Sequence, residues 1–365
     1  MDTLRLKVDA GHLDGEESTS AIEQAARILR EAGTVALPTE TVYGLGANAL
    51  DADAVAKIFA AKQRPGWDPL IVHVADEAML ARVVESIPEQ ARRLIQAFWP
   101  GPLTLLLPRS AAVPDVVTAG RELVGVRMPA HPVALEVIRR AGVPIAAPSA
   151  NRFGHTSPTT AEHVLEDLDG RIDAVLDAGP TTVGVESTVV DATVSPMVIY
   201  RPGAITVEQV RAVAGPAEIY QEVAVLEDVP KESLPSPGVG LRHYAPRARL
   251  ILVDAGEPGG SELAMNLAAA ARVWAGEHVG VMLPHALLGE QARSVAEEER
   301  NFAEVFAWGH WPEPGEQPEE LARRLFAGLR FLDSTGCSVI VCPLPPGDGI
   351  GAAIRDRLRK AAYAA

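Results

Sequence analysis

Between residues 216 and 247 the hydrophobic period that organises the rest of the chain stops. The stretch holds Pro216, Pro230, Pro235, Pro237 and Pro246 and no repeating apolar spacing. Proline fixes φ and removes a backbone donor, so neither a long helix nor a central strand runs through it. A structureless connection of that length is uncommon inside one domain and reads as either a disordered or a functional segment. A chain of 365 residues broken there has room for two domains. The expected division is 1–215, a linker at 216–247, and 248–365.

The two sides of the break differ in rhythm. After it the sequence predicts a strand at 250–253, a helix at 261–275, a strand at 279–283 and a helix at 288–299. A strand at 303–307, a helix at 318–333, a strand at 338–342 and a helix at 350–362 follow. Four β-α steps in a row argue for a small Rossmann-like parallel α/β domain. Before the break, strands and helices mix without strict alternation, which suggests a mixed sheet. A helix is expected at 18–33, opened by a capping box at Ser20 and Glu23 and stopped at Gly33. Further helices are expected at 51–62, 92–99, 132–141, 160–168 and 206–213. Strands are expected at 34–37, 70–74, 103–107, 124–128, 173–177, 187–192 and 197–200, with an apolar run at 144–147.

Charge and cysteine usage narrow the function. The formal charge of −15 is shared about equally by the two halves. Neither half is basic, which argues against a stable nucleic-acid coat. The two cysteines, Cys337 and Cys342, fall five apart in an apolar run. In a strand that offset sends them to opposite faces, so they read as buried reduced thiols that neither pair nor share a metal. A reducing cytoplasmic setting fits. The opening Met1-Asp-Thr-Leu-Arg-Leu-Lys-Val8 lacks the apolar block of a secretory leader, and no run of about 18 apolar residues marks a membrane span.

Familiar catalytic signatures are weak or missing. Gly44-Leu-Gly46-Ala-Asn-Ala49 and Gly347-Asp-Gly349-Ile-Gly-Ala352 both match a dinucleotide-type glycine pattern, but neither has its strand and distal acid in place. The nine histidines form no metal-ligand spacing, and no serine-nucleophile elbow or P-loop occurs.

What remains is a set of polar loops beside apolar strands. Pro38-Thr39-Glu40-Thr41-Val42-Tyr43-Gly44 follows a strand end, where open α/β sheets bind ligands, though a plain turn has the same composition. Lys62-Gln-Arg64-Pro65-Gly66 sets one of the chain's only five lysines beside an arginine in a stiff loop. That pair suits a triphosphate, and it equally suits the negative end of the preceding helix. His73 lies in a strand, as either a ligand contact or a satisfied core histidine. Arg127 lies inside an apolar strand and needs an anionic partner, either a substrate carboxylate or an internal acid. Ala147-Pro148-Ser149-Ala150-Asn151 and Ser157-Pro158-Thr159 carry hydroxyls and amides that would hold phosphate or ribose oxygens, or cap the next helix. Gly184-Val185-Glu186-Ser187-Thr188, Tyr200-Arg201 and the linker's Arg242-His243-Tyr244 complete the set. An aromatic in a mobile linker would close over a nucleotide as an active-site lid, though a solvated linker has the same composition.

Gly33-Thr-Val-Ala-Leu-Pro-Thr-Glu-Thr-Val-Tyr-Gly-Leu-Gly46, Lys62-x-Arg64-Pro65, Ser149-Ala-Asn151, Gly184-Val-Glu-Ser-Thr188 and His243-Tyr-Ala-Pro246, in this order, resemble the threonylcarbamoyl-AMP synthases in their long two-domain form. The resemblance implies a YrdC-like mixed twisted sheet domain, a Pro-rich linker and a C-terminal Sua5-type domain. It implies synthesis of threonylcarbamoyl-AMP and pyrophosphate from L-threonine, bicarbonate and ATP with Mg²⁺. A partner threonylcarbamoyltransferase would then act on tRNA. By motif, Thr39, His73, Arg127, Ala147 and Ser187 would hold threonine. Lys62, Arg64, Gly66, Leu123, Ser149, Asn151, Ser157, Arg201 and Tyr244 would hold ATP, with Lys62 and Arg64 as the catalytic cations. One departure stands out: Val239-Gly-Leu-Arg242 replaces the Met-Lys-Tyr-Lys usual in the family's linker. Two other readings compete. One is an RNA-binding module with Lys62, Arg64, Arg127, Arg152 and Arg201 in one concave patch. The other is a carbamoyl-phosphate-dependent relative, for which the expected companion domains are absent.

Overall fold

The helices begin where the chain supplies a local acceptor or a preset φ. Asp51 accepts from the backbone N–H of Asp53 and Ala54 and opens the helix Ala52–Lys62, which Gln63 closes in the left-handed region at φ 55°. Pro132 opens Pro132–Ala141, and Gly142 closes it at φ 68°. The computed structural model describes residues 2–220, 234–236, 238–239, 243–254, 260–288, 302–313 and 315–363. The helix expected at 288–299 and most of the 221–242 stretch lie outside these residues.

The chain divides into two units. One comprises Met1–Phe153, Ser157–Thr182 and Glu186–Gly240. The other comprises Leu241–Ala365 with the short segments Gly154–Thr156 and Val183–Val185. The first runs β1 (Leu4–Lys7), α1 (Glu16–Arg30), β2 (Val35–Leu37), β3 (Gly44–Asn48), α2 (Ala52–Lys62), β4 (Ile71–His73), α3 (Glu77–Val83), α4 (Glu89–Phe98) and β5 (Leu103–Pro108). It continues with α5 (Asp115–Thr118), β6 (Leu123–Arg127), α6 (Pro132–Ala141), β7 (Ile145–Ala146), α7 (Ala161–Leu168), β8 (Ala174–Asp177), β9 (Thr188–Asp191), β10 (Met197–Arg201), α8 (Val207–Ala214) and β11 (Ala217–Ile219). Its eleven strands form one mixed sheet in the order β1-β8-β2-β3-β7-β4-β6-β5-β9-β10-β11.

The centre of this sheet separates two environments by parity. Val72, Val124, Val126, Leu103, Leu105, Leu107 and Val190 enter the main core with the buried face of α1. Their neighbours along each strand must point the other way. On that second face Ile71, Leu106 and Val189 form a small separate cluster with half-buried Leu123 and Tyr200. The polar residues of β4, β5 and β6 share that face.

The second unit runs β12 (Arg249–Asp254), α9 (Gly260–Arg272), β13 (Val279–Pro284), β14 (Glu304–Gly309), α10 (Glu319–Ser334), β15 (Val339–Leu344) and α11 (Ile350–Ala362). Its four strands are all parallel, in the order β12-β15-β13-β14, which is the expected architecture. β13 and β15 are buried along their whole length, as a sheet covered on both faces requires. Cys337 and Cys342 are both buried free thiols.

Several boundaries differ from the sequence expectation. α1 starts at Glu16 after Gly15, so Ser20 lies inside the helix and forms no capping box. The left-handed residue that ends α1 is Ala32, at φ 59°. Gly44–Asn48 reads as a loop but is a central strand, paired with β2 and β7. Its glycines suit close strand approach, since a Cβ on Gly46 would lie 2.8 Å from Ile145 Cγ2. Ala217–Ile219, assigned to the linker, extends the sheet beside β10. Thr160 caps α7, where Ser157 and Thr159 were the expected candidates. No helix among the described residues is long and apolar enough to cross a membrane.

Candidate active site

Five neighbouring strands of the large sheet each place one residue in a row across its second face. Ala147 follows β7, and its N–H donates to the Ile71 carbonyl of β4 at 2.9 Å. His73 on β4 is the register partner of Arg127 on β6. Thr104 on β5 lies one position beyond the Leu105–Val126 pair. Ser187 precedes β9, and its hydroxyl lies 2.8 Å from that of Thr104. The sequence singled out four of the five. Thr104 was missed; a lone hydroxyl in Leu103-Thr-Leu-Leu-Leu107 is its only local signal.

The loop between β2 and β3 supplies the other side of this row. Thr39 Oγ1 donates to the Val42 carbonyl at 2.6 Å and lies 2.8 Å from Thr41 Oγ1. That turn presents Thr41 and Glu40 to Arg127. The guanidinium donates from Nε to the Gly101 carbonyl at 3.1 Å and from Nη1 to Thr41 Oγ1 at 2.9 Å. Its Nη2 lies 2.5 Å from Glu40 Oε1, which also accepts from the Ala130 N–H at 3.1 Å. Arg127 therefore has an internal acid, and that acid is a residue sequence reasoning quoted without a role.

Three buried polar atoms here have no hydrogen-bond partner among the described residues: Arg127 Nη2, Glu40 Oε2 and His73 Nδ1. Arg127 Nη2 is close to Glu40 but out of line for a hydrogen bond. His73 is neutral, its pKa pushed down to about 3 by burial first and by the Arg127 charge second.

A second group adjoins the Lys62 end of α2. Lys62 is buried and donates from Nζ to the carbonyls of Ser149 and Asn151, both at 2.5 Å. Burial and the nearby Arg64 hold its pKa well below the ordinary lysine value. The 147–151 segment is fixed along β3, with Leu45 N–H donating to the Pro148 carbonyl and Ala150 N–H to that of Tyr43. Arg64 donates to the carbonyls of Asp68 and Pro69, pairs with the Asp68 carboxylate at 2.9 Å and lies over Phe153. Gly66 is exposed, and Leu123 sits at the far end of the second face.

Ser157 and Arg201 link to the row from its Ser187 end. Ser157 Oγ donates to Glu186. Arg201 donates from Nε to the Ser187 carbonyl and from Nη2 to its hydroxyl, at 3.0 and 3.1 Å. Gly203 makes this approach possible: a Cβ there would meet the Thr188 nitrogen at 2.3 Å and the Glu186 carbonyl oxygen at 2.7 Å.

Tyr244 belongs to the second unit. It is buried at φ 64°, with Phe326 stacked against it and the Arg357 guanidinium 5.3 Å from its ring centre. Lys62, Arg64, Arg127 and Arg201 are all buried with protein acceptors, so they form no exposed basic patch.

Residues 27–203 match the family described as "Telomere recombination", and residues 205–363 that described as "Threonylcarbamoyl-AMP synthase, C-terminal domain". The chain is 43% identical over 340 residues to a threonylcarbamoyl-AMP synthase of Pyrococcus abyssi (strain GE5 / Orsay), covering 93% of each chain. It is 43% identical over 342 residues to that of Bacillus subtilis (strain 168), covering 93% of this chain and 92% of the other. The crystal structure of P. abyssi Sua5 complexed with L-threonine matches at 42% identity with a TM-score of 0.84, over 99% of this chain and 98% of that one.

Proposed function

The chain belongs to the threonylcarbamoyl-AMP synthase family, and on that premise we propose how its first unit carries the reaction. The enzyme is a nucleotidyltransferase that makes threonylcarbamoyl-AMP, the intermediate for threonylcarbamoyl modification of tRNA. L-threonine, bicarbonate and ATP are its substrates.

Threonine occupies the row Ala147, His73, Arg127, Thr104 and Ser187, beneath Thr39. Its carboxylate lies on Arg127, and its hydroxyl and methyl lie among Thr39, His73, Ala147 and Ser187. The observation that supports this placement is the cluster of buried polar atoms, Arg127 Nη2, Glu40 Oε2 and His73 Nδ1, with no hydrogen-bond partner among the described residues. A buried polar atom left unpaired costs about 1–3 kcal/mol, and a small zwitterion with a hydroxyl supplies partners for all three.

ATP lies on Lys62, Arg64, Gly66, Leu123, Ser149, Asn151, Ser157 and Arg201. Lys62 and Arg64 are the catalytic cations. Both now donate to carbonyls and would exchange these for phosphate oxygens as charge develops on the α-phosphate and the leaving pyrophosphate. The threonine amine adds to bicarbonate, and the carbamate oxygen attacks the α-phosphorus. The bond to the β-phosphate breaks and pyrophosphate leaves. Carbamates decompose in water, so positioning and water exclusion matter most.

Mg²⁺ comes with ATP. No group of three His, Cys, Asp or Glu side chains gathers among the described residues, so phosphate oxygens and water would supply most of its shell. A threonylcarbamoyltransferase takes the product to tRNA.

The test is pyrophosphate release from ATP with threonine and bicarbonate each supplied or omitted. Release that requires both is expected. ATP turnover indifferent to threonine overturns this reading.

A further inference from the structure

We infer that Glu40 is the base that removes a proton from the threonine ammonium, a role that rests on the placement of threonine proposed above. An ammonium has no lone pair. Before nitrogen can attack the carbon of bicarbonate, one proton must leave, and a group within hydrogen-bond reach must take it.

Glu40 is placed for this. Its Oε1 is ion-paired with Arg127 Nη2 at 2.5 Å and accepts from the Ala130 N–H at 3.1 Å. Its Oε2 is buried and has no hydrogen-bond partner among the described residues. A carboxylate held rigidly by one oxygen, with the other unpaired, is a preorganised acceptor. Arg127 fixes the geometry further. An α-amino acid whose carboxylate rests on Arg127 carries its ammonium one carbon away, within reach of the Glu40 carboxylate that the same guanidinium touches. The four charges then close a ring of alternating sign: Arg127, the substrate carboxylate, the substrate ammonium and Glu40.

The alternative acceptors are poorer. His73 is neutral, and taking the proton would make it a second buried cation beside Arg127, whereas Glu40 is neutralised by taking it. Thr39, Thr41, Thr104 and Ser187 are hydroxyls already engaged with one another or with Arg127 and Arg201. Burial also favours the transfer, because a neutral amine beside a neutral acid needs less solvation than an ammonium beside a carboxylate.

The step balances. Threonine ammonium passes one proton to Glu40 Oε2. The amine nitrogen bonds to the carbon of bicarbonate, the C–OH bond breaks, and hydroxide leaves as water with the second nitrogen proton. The product is the carbamate, and Glu40 returns its proton to solvent as product leaves.

The experiment measures pyrophosphate release by the full chain and by Glu40→Gln from about pH 7 to about pH 10, at saturating threonine, bicarbonate and ATP. Threonine affinity is measured calorimetrically at both ends. Glutamine keeps the shape and an acceptor for Ala130 N–H but takes up no proton. A fall in kcat of about 100-fold or more is expected near pH 7. The ratio to wild type should shrink to less than about 10-fold near pH 10, where threonine arrives as the free amine. An equal loss at every pH, or lost threonine affinity with kcat intact, would mean that Glu40 only positions Arg127, and overturns the inference. If Glu40→Gln does not fold, Glu40→Asp carries the same comparison, with a smaller loss that also fades toward high pH. Wild-type release that does not depend on threonine would instead defeat the placement of threonine itself.

Discussion

The two sheets solve the same packing problem in opposite ways. The four-stranded parallel sheet buries β13 and β15 completely in hydrocarbon. At the start of α11, the helix that follows β15, Gln317 Oε1 accepts from the Ile350 N–H. The eleven-stranded sheet commits one face of its centre to the main core and sets histidine, arginine, threonine and serine across the other. The first arrangement is the cheaper one to fold. The second accepts buried charge and unpaired atoms, which are tolerable where a guest completes them. Chemistry should therefore be sought in the large sheet, and pure packing energetics in the small one.

The hardest blow to this contrast is Arg127→Ala. It strands Glu40 in the interior without its cation, and breaking a buried pair from one side costs about 3–5 kcal/mol. Threonine-dependent pyrophosphate release should fall at least about 100-fold, with a matching loss in urea unfolding of the first unit. Retained release would mean that the polar row is not the threonine site.

Next comes Leu325→Ala in α10, where the side chain is fully buried. A loss of roughly 2–5 kcal/mol in the second unit is expected, with threonine affinity unchanged in calorimetry. A change in threonine affinity would erase the division of labour between the sheets.

Acid sharpens the comparison. His73 is neutral in the folded protein, with its pKa near 3, and burial also lowers that of His131. The unfolded chain takes up protons below the ordinary imidazole value that the folded chain refuses. Stability is then full above about pH 6.5 and declines as pH falls toward 3, by roughly 2 kcal/mol from His73 at pH 5. Urea titrations at both pH values should show this decline, and His73→Gln should flatten it.

The smallest effect tests scaffolding alone. Asp51→Ala removes the acceptor that opens α2 and should lower the unfolding midpoint by the equivalent of about 1 kcal/mol. Near-normal threonine affinity is expected. A larger kinetic effect would show that the pose of α2, and Lys62 at its end, limits the reaction.

Legibility in the sequence followed the same divide. α6 and α11 were expected at 132–141 and 350–362 and lie there, because an apolar stripe with proline or glycine at the helix ends is local information. β3 was missed because its glycines, chosen for close contact with Ile145 and Ala147, look like turn residues. The supposed capping box at Ser20 failed because helix propensity continues four residues upstream, through Glu16 and Glu17. At the site, Arg127 announced itself as a charge in an apolar strand. Glu40 and Thr104 did not, since their importance depends on register between strands far apart in the chain. An ion pair of Arg127 with an unnamed internal acid was one of two readings open from sequence, and the fold realises it with Glu40.

Gly203 carries a consequence for variation. A single methyl group there would push into the backbone that presents Ser187 and anchors Arg201. In a saturation library selected for activity, that codon should return glycine alone, while Gly142 and Gly179, whose positive φ faces open space, should also admit asparagine. Intolerance to every substitution would then mark this glycine as part of the binding apparatus, although it offers no side chain to any ligand.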